Sequence, residues 1–188
     1  MVEIKGSVVG DAMKIIKTNY GEDVYGRVLD KLKPQTRAIF DTDSFVLKNW
    51  YPLEAFNEFL DADLKVTANG NEQELIRRSE ELIEKQMSVI YKVFVKLGSP
   101  KFVLERIAAI NQTYFREVGV SISFPTTTSA IVRLTGFEKS HRLIGLSIIG
   151  FYRKALDVSG AKNIVTKYLT PIEAEKGFSE LSISWTDK

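Results

Sequence analysis

The chain has 188 residues, 44% of them hydrophobic and 27% charged, and its 26 basic and 24 acidic residues leave a formal net charge of +2. This composition is typical of a globular protein, and the length suits one domain better than two. Basic and acidic residues are interleaved, so no patch for nucleic acid is predicted. The absence of cysteine excludes disulfides, thiolate metal sites and cysteine nucleophiles.

Neither a signal peptide nor a membrane span is predicted. The N-terminal residues 1–6 lack the apolar core of a signal peptide. The most apolar stretch, 143–156, is interrupted by Gly145, Gly150 and Arg153 and is shorter than the ~20 apolar residues that a membrane helix needs. We therefore expect a cytoplasmic protein.

Apolar residues recur at helical spacing through the first third of the chain. This spacing predicts a helix over 8–20 that ends at Gly21 and a second helix over 24–32 that Pro34 closes. A third, shorter helix is predicted to start near Pro52, because proline suits the first helical turn.

The longest predicted helix follows the break at residues 69–71. Asn71 with Glu74 is typical of a helix start, and an apolar stripe then runs over 76–97. Ser99 as the cap and Pro100 as the first residue predict another helix, and we expect the two helices to pack antiparallel.

The pattern changes from helical to twofold after Gly119. Apolar residues then alternate with serines, as in a half-buried strand. A helix capped by Ser140 follows, apolar on most of its surface, so it needs cover from the sheet and from the helical layer or a second subunit. The predicted elements are strands at 120–124 and 131–134, a helix over 143–156, and strands at 164–169 and 178–185.

These elements predict an α+β fold in which an N-terminal helical layer packs on a C-terminal four-stranded antiparallel sheet with β-β-α-β-β order. No repeat and no linker rich in Gly, Ser or Pro interrupts the chain, so we expect a single domain over 1–188.

The sequence shows no recognisable catalytic, cofactor-binding or metal-binding constellation. The one histidine, His141, is interpreted as a solvent-facing residue at a helix start, and a triad built on it stays open. The acidic pairs at 41–43 and 61–63 lack the spacing of a calcium loop and are interpreted as turn and capping residues. Nucleophile-elbow and phosphate-loop motifs are absent.

Three residues are candidates for a pocket or an interface. Trp50 and Tyr51 precede Pro52, and their rings could staple a loop to the core or wall a pocket or interface; the staple is favoured. Arg133 lies in a strand of small and apolar residues. It either points outward or supplies a positive charge inside a cleft, and the outward orientation is favoured.

Four soft motifs together with the β-β-α-β-β order resemble a family of bacterial proteins of uncharacterised function, known mainly from myxobacteria and their relatives. These motifs are Ile4-Lys5-Gly6, Asn49-Trp50-Tyr51-Pro52, Gly98-Ser99-Pro100 and Gly136-Phe137-Glu138. More distantly, the layout is similar to the haem-nitric-oxide-binding domain and to vinyl-4-reductase-type small-molecule-binding domains, whose relatives include subunits of the vesicle-tethering transport particle. This resemblance implies a pocket between the helices and a curved sheet, used for sensing or for holding apolar groups.

The haem-binding version of that layout has a proximal histidine on a helix before the sheet and a Tyr-x-Ser-x-Arg motif in the strands. Here no histidine lies between Gly98 and Gly119, and the corresponding strand reads Val-Arg-Leu-Thr-Gly-Phe-Glu over 132–138. The resemblance therefore implies the fold without protein-held haem, and no cofactor is predicted.

The leading hypothesis is a non-enzymatic regulatory or signalling module that binds a small apolar ligand or a partner protein. A second hypothesis is a scaffold that self-associates, for example as a homodimer, through the apolar helix over 143–156 or through a sheet edge. An enzyme stays a third. Because a fold does not dictate a function, the first hypothesis depends largely on analogy.

Overall fold

A computed structural model describes residues 1–41, 45–86 and 98–186. The helices are α1 (Gly6–Tyr20), α2 (Glu22–Leu29), α3 (Pro34–Phe40), α4 (Leu53–Thr67), α5 (Glu72–Gln86), α6 (Pro100–Tyr114) and α7 (Arg142–Ser159). The strands are β1 (Glu3–Lys5), β2 (Trp50–Pro52), β3 (Phe115–Arg116), β4 (Gly119–Thr126), β5 (Ser129–Thr135), β6 (Lys162–Thr170) and β7 (Phe178–Thr186). No helix among the described residues is long and apolar enough to cross a membrane.

The strands form two antiparallel sheets. A small sheet has the order β2-β1-β3, and a four-stranded sheet has the order β4-β5-β7-β6. In the larger sheet the inward-facing residues of β5 and β7 are buried and, apart from Ser179, apolar, and they alternate with mostly polar residues on the other face. The buried apolar residues are Ala130, Val132, Leu134, Leu181, Ile183 and Trp185. The predicted α+β class and the order β4-β5-α7-β6-β7 are therefore confirmed.

Two hydrophobic cores lie side by side. The first joins β1 and helices α1, α2 and α4, and the second joins α6, α7 and the inner face of the four-stranded sheet. Val120, Phe137 and Ile148 are partly buried and pack against both cores. These shared residues mark the boundary at which the helical layer meets the sheet.

Helix α7 is covered on more than one side, as its apolar surface predicts. It contacts α4, α5, α6 and β6, so it lies between the helical layer and the sheet. Residues far away in the sequence hold its N-terminus in place. The Leu143 amide donates to Asn57 Oδ1 at 3.0 Å, and Arg142 makes a bidentate ion pair with Glu72.

Several predicted helix ends are confirmed by their capping geometry. Gly21 ends α1 with a φ of 87°, which glycine adopts readily. Asn71 Oδ1 accepts a hydrogen bond from the Gln73 amide at the start of α5, and Ser99 Oγ accepts one from the Phe102 amide at the start of α6. The part of the predicted stripe at 87–97 lies outside the described residues.

Other predicted boundaries differ from the structure in part. Pro34 does not close a helix but begins α3, because its fixed φ suits a first turn. The predicted helix start near Pro52 is confirmed, since α4 starts at Leu53, but residues 50–52 themselves form the strand β2, which was not predicted. The helical segment before α7 is capped by Glu138 rather than Ser140, since the Glu138 side chain and His141 form a reciprocal capping box around a turn of 3₁₀ helix.

Candidate ligand-binding cavity

A cavity of about 360 Å³ lies at the boundary between the two cores. It takes residues from both cores and from the boundary itself. Its volume falls at the lower end of the range of small-molecule sites. The described lining residues are Ile4, Val8, Phe56, Ser79, Leu82, Ile83, Ile107, Asn111, Tyr114, Phe115, Val120, Leu134, Phe137, Ile144, Ser147, Ile148, Phe151, Tyr152 and Ala155.

The small sheet positions one wall of this cavity. Strands β1 and β2 pair so that Ile4 lies opposite Tyr51 and Lys5 lies opposite Trp50. Ile4 is 1% exposed and lines the cavity. The motifs around residues 4–6 and 49–52 are thus strand partners, and their pairing holds Ile4 in place.

Tyr51 fastens the loop that precedes β2. Its hydroxyl accepts from the Val46 amide at 2.8 Å and donates to the Val46 carbonyl at 3.2 Å, and its ring stacks on Phe45. A β-carbon at Gly6 would lie 2.9 Å from the Tyr51 ring, so this close approach requires glycine. Tyr51 is not among the described lining residues of the cavity.

Trp50 lies at the surface beside two cations. The Lys5 ammonium lies 4.7 Å and the Arg116 guanidinium 4.3 Å from its ring centroid. Both cations lie within cation–π distance of the ring, and these contacts hold the half-buried ring against the small sheet. Trp50 is likewise outside the described cavity lining, so its part in a pocket or interface stays a prediction.

Arg133 lies on the face of the four-stranded sheet opposite the second core. Its side chain is 51% exposed, pairs with Glu180 at 2.9 Å and stacks over the Phe178 ring. It does not supply a charge to the cavity, and a role at an interface stays a prediction.

Polar groups in the cavity are few, and most of their donors are engaged. Ser79 and Ser147 donate to carbonyls one turn back in their own helices, and the Asn111 amide donates to the Val118 carbonyl at 3.0 Å. Tyr114, at the end of α6, is 36% exposed, so the cavity is open to solvent at the edge where Tyr114 lies. No lining residue among those described is charged.

Tyr152 is the functional candidate that the sequence pattern did not reveal. Its side chain is 3% exposed, and its hydroxyl makes no hydrogen bond to another residue within the part of the chain that the structure describes. Burial raises the pKa of this phenol well above its ordinary value, with a further contribution from nearby Tyr168, so the hydroxyl stays protonated. The available signal was a tyrosine on an otherwise apolar helix face.

His141 is buried, which corrects the expectation that it faces solvent. It is 3% exposed, its Nδ1 accepts from the Glu138 amide at 3.0 Å, and its ring contacts Phe137 edge-on. Burial lowers its pKa below the ordinary value, and the carboxylates of Glu138 and Glu54 oppose that shift. His141 contacts the lining residue Phe137 but is not itself among the described lining residues.

The acidic pair at 61–63 is helical rather than part of a turn. Asp61 pairs with Lys65 at 2.6 Å on α4, and Asp63 pairs with Arg78 at 2.6 Å. Within residues 1–41, 45–86 and 98–186, no three His, Asp or Glu side chains are grouped to hold a metal ion. Asp43, of the other predicted acidic pair, lies outside the described residues.

A second groove of about 450 Å³ lies near the start of α7. It is bordered by residues of mixed charge, including Glu138, Lys139, Glu175 and Lys176. Lys139 and Glu175 already face one another at 3.8 Å. Because its charges are mixed and exposed, the groove favours no particular ligand.

The cavity does not fit a haem held by a histidine. The sequence has one histidine, and His141 uses Nδ1 to cap the turn before α7. No described lining residue is a lysine or arginine that could face the haem carboxylates.

Comparison with protein-family models and with curated proteins gives no match. Comparison with solved structures finds H-NOX proteins, the haem-nitric-oxide-binding class. An H-NOX protein from S. oneidensis in the Fe(II)NO ligation state is 15% identical, with a TM-score of 0.69, covering 98% of this chain and 100% of that chain. The unliganded Fe(II) H-NOX protein from K. algicida is 10% identical, with a TM-score of 0.71 and 98% of both chains covered.

A mutant of the T. tengcongensis H-NOX protein is 12% identical, with a TM-score of 0.66, covering 98% of each chain. At these identities the likeness concerns the fold. It extends over nearly all of this chain and nearly all of each neighbour. The chain therefore has the fold of the H-NOX proteins.

Proposed function

We propose that residues 1–188 form a single, non-enzymatic regulatory domain that binds a small, uncharged, apolar molecule without haem. The observation that carries the proposal is the cavity of about 360 Å³ between the two cores, with no charged residue in its described lining. Such a lining favours apolar ligands, because burying them removes apolar surface from water. The proposal includes the cytoplasmic location that the sequence predicts.

The position of the cavity supports a regulatory role. Ile4 and Phe56 belong to the first core, and Ile107 and Leu134 belong to the second. A ligand in the cavity would contact both, so it would favour whichever arrangement of the two cores fits it best. A ligand with different affinities for two arrangements shifts the population between them, as a sensor requires.

Thermal unfolding in the presence of butylbenzene tests the proposal. A molecule that binds only the native state stabilises it by about 2.7 kcal/mol when its concentration is a hundred times Kd. We expect butylbenzene to raise the melting temperature of the wild-type chain. Ser147→Leu, which places a larger side chain in the cavity, should remove that rise.

Ser121→Leu is the matched control, since it adds the same side chain at an exposed position on β4 outside the cavity. It should keep the response to butylbenzene. Equal shifts in all three proteins, or a wild-type melting temperature that neither butylbenzene nor its ketone analogue 4-phenyl-2-butanone changes, would contradict binding in this cavity.

Self-association is a second candidate, favoured by the exposed strand β6. This strand lies at the edge of the four-stranded sheet, and Val165 and Leu169 on it are 59% and 53% exposed. An edge strand with exposed apolar residues is a template for pairing with another chain. A homodimer could form there, and Trp50, Tyr51 and Arg133 remain candidates for contact with a different partner protein.

Light scattering at micromolar concentration tests this alternative. Self-association through β6 predicts a wild-type dimer that Val165→Glu together with Leu169→Glu converts to a monomer, because charges at an edge disfavour pairing. A strictly monomeric wild-type chain would rule out the scaffold, and a dimer that the double variant does not change would place the contact elsewhere.

A further inference from the structure

The Tyr152 side chain is 3% exposed, and its hydroxyl makes no hydrogen bond to another residue in the described part of the chain. It lies on α7, among residues that line the cavity. The neighbouring donors of Ser79, Ser147 and Asn111 are already engaged with backbone carbonyls. Tyr114 also lines the cavity, but it is exposed enough for water to satisfy its hydroxyl.

The described surroundings of this donor favour a neutral ligand. No lining residue among those described is charged, so these residues offer no opposite charge to offset the desolvation of an anion or a cation. Because burial keeps the Tyr152 phenol protonated, the phenol itself is neutral and can donate. A neutral ligand avoids the desolvation cost and can still accept that hydrogen bond.

We propose that the cavity selects a neutral apolar molecule that carries a hydrogen-bond acceptor, such as a ketone or ester carbonyl, and that Tyr152 donates to it. This inference rests on the proposed function and names the class of its ligand. A hydrocarbon of the same shape leaves the buried hydroxyl unpaired, and sites with unpaired polar groups discriminate against such ligands.

Titration of the full chain with three probes of similar size tests the inference. The probes are 4-phenyl-2-butanone as the neutral ketone, butylbenzene as the hydrocarbon and 3-phenylpropanoate as the carboxylate. Chemical shifts of the isotope-labelled protein report each affinity in the wild type and in Tyr152→Phe. The matched control is Tyr25→Phe, which removes a buried tyrosine hydroxyl that donates to the Phe40 carbonyl outside the cavity.

We expect Tyr152→Phe to weaken ketone binding about tenfold, which corresponds to the loss of one hydrogen bond, and to change butylbenzene binding less than about twofold. Tyr25→Phe should change neither affinity, and the carboxylate should bind the wild type more weakly than the ketone does. Ketone binding that does not depend on Tyr152, or tighter binding of the carboxylate, overturns this inference alone. If none of the three probes binds, the proposed function itself is overturned, and the inference with it.

Discussion

Arg78 and Asp63 form an ion pair that is almost completely removed from solvent. Their side chains are each 5% exposed and meet at 2.6 Å, and Arg78 also donates to Tyr20 and Thr67. We predict that Arg78→Met lowers the free energy of unfolding by about 3–5 kcal/mol, because Asp63 then remains buried without its partner. Urea denaturation measures this change.

Lys65→Met is the control for that prediction. Lys65 pairs with Asp61 one turn away on α4, but both side chains are about half exposed or more. Loss of such a surface pair should cost roughly 0.3–0.5 kcal/mol. Similar losses in the two variants would show that burial does not set the contribution of the Arg78 pair.

His141 should make the stability of the protein depend on pH. Burial lowers the pKa of His141, so the folded state holds the ring neutral while the unfolded chain protonates near its ordinary value of about 6.5. The resulting stability is fully present above that value and is lost as the pH falls toward the folded-state pKa. The slope that His141 contributes in that window is at most about 1.4 kcal/mol per pH unit.

Urea denaturation at several pH values between about 7 and 5 checks this prediction against His141→Gln. The amide of glutamine keeps an acceptor near the Glu138 amide but does not titrate. The wild-type chain should lose more free energy of unfolding over this interval than the variant does. Equal losses would mean that carboxylates, and not His141, set the acid sensitivity.

At the scale of elements, the close contact between α5 and α7 depends on Gly150, which has no side chain. A β-carbon at Gly150 would press on the Ile76 carbonyl oxygen and lie 2.8 Å from Ser79 Cβ. We therefore predict that Gly150→Ala lowers the free energy of unfolding by about 1–3 kcal/mol, in spite of the better helix propensity of alanine. Thermal or urea unfolding measures the loss.

Replacing glycine by alanine should instead raise the free energy of unfolding in α2. A β-carbon at Gly26 meets nothing within 4 Å, so Gly26→Ala should raise stability by about 0.5–1 kcal/mol through helix propensity alone. If both alanine variants were stabilised, the helices α5 and α7 would have room to separate without cost.

Element boundaries show where sequence patterns succeed. Asn71 and Ser99 act through local hydrogen bonds to amides two or three residues ahead, so their positions predict the starts of α5 and α6. The short strand β2 forms only because it pairs with β1 at the far N-terminal end of the chain, and so short a strand carries no periodicity of its own. Because this strand depends on long-range pairing, the sequence pattern of 50–52 does not predict it.

At the scale of the whole molecule, the fold of H-NOX proteins is combined with a cavity whose residues do not fit a histidine-held haem. We predict that hemin added to the purified chain gives no stoichiometric absorption band of a histidine-ligated haem. Visible absorption spectroscopy of the wild type and of His141→Ala checks this. A one-to-one complex whose band disappears in His141→Ala would show that His141 leaves its capping position to bind iron.

The sequence by itself determined the α+β class, the order β4-β5-α7-β6-β7 and the inward-facing residues of β7. These features follow from periodicity and local capping, which act over a few residues. Only the tertiary structure decided that Ile4 and Tyr152 line one cavity and that His141 is buried. The physical reason is that a residue facing a cavity and a residue packed in the core show the same apolar spacing, and only contacts between distant segments separate them.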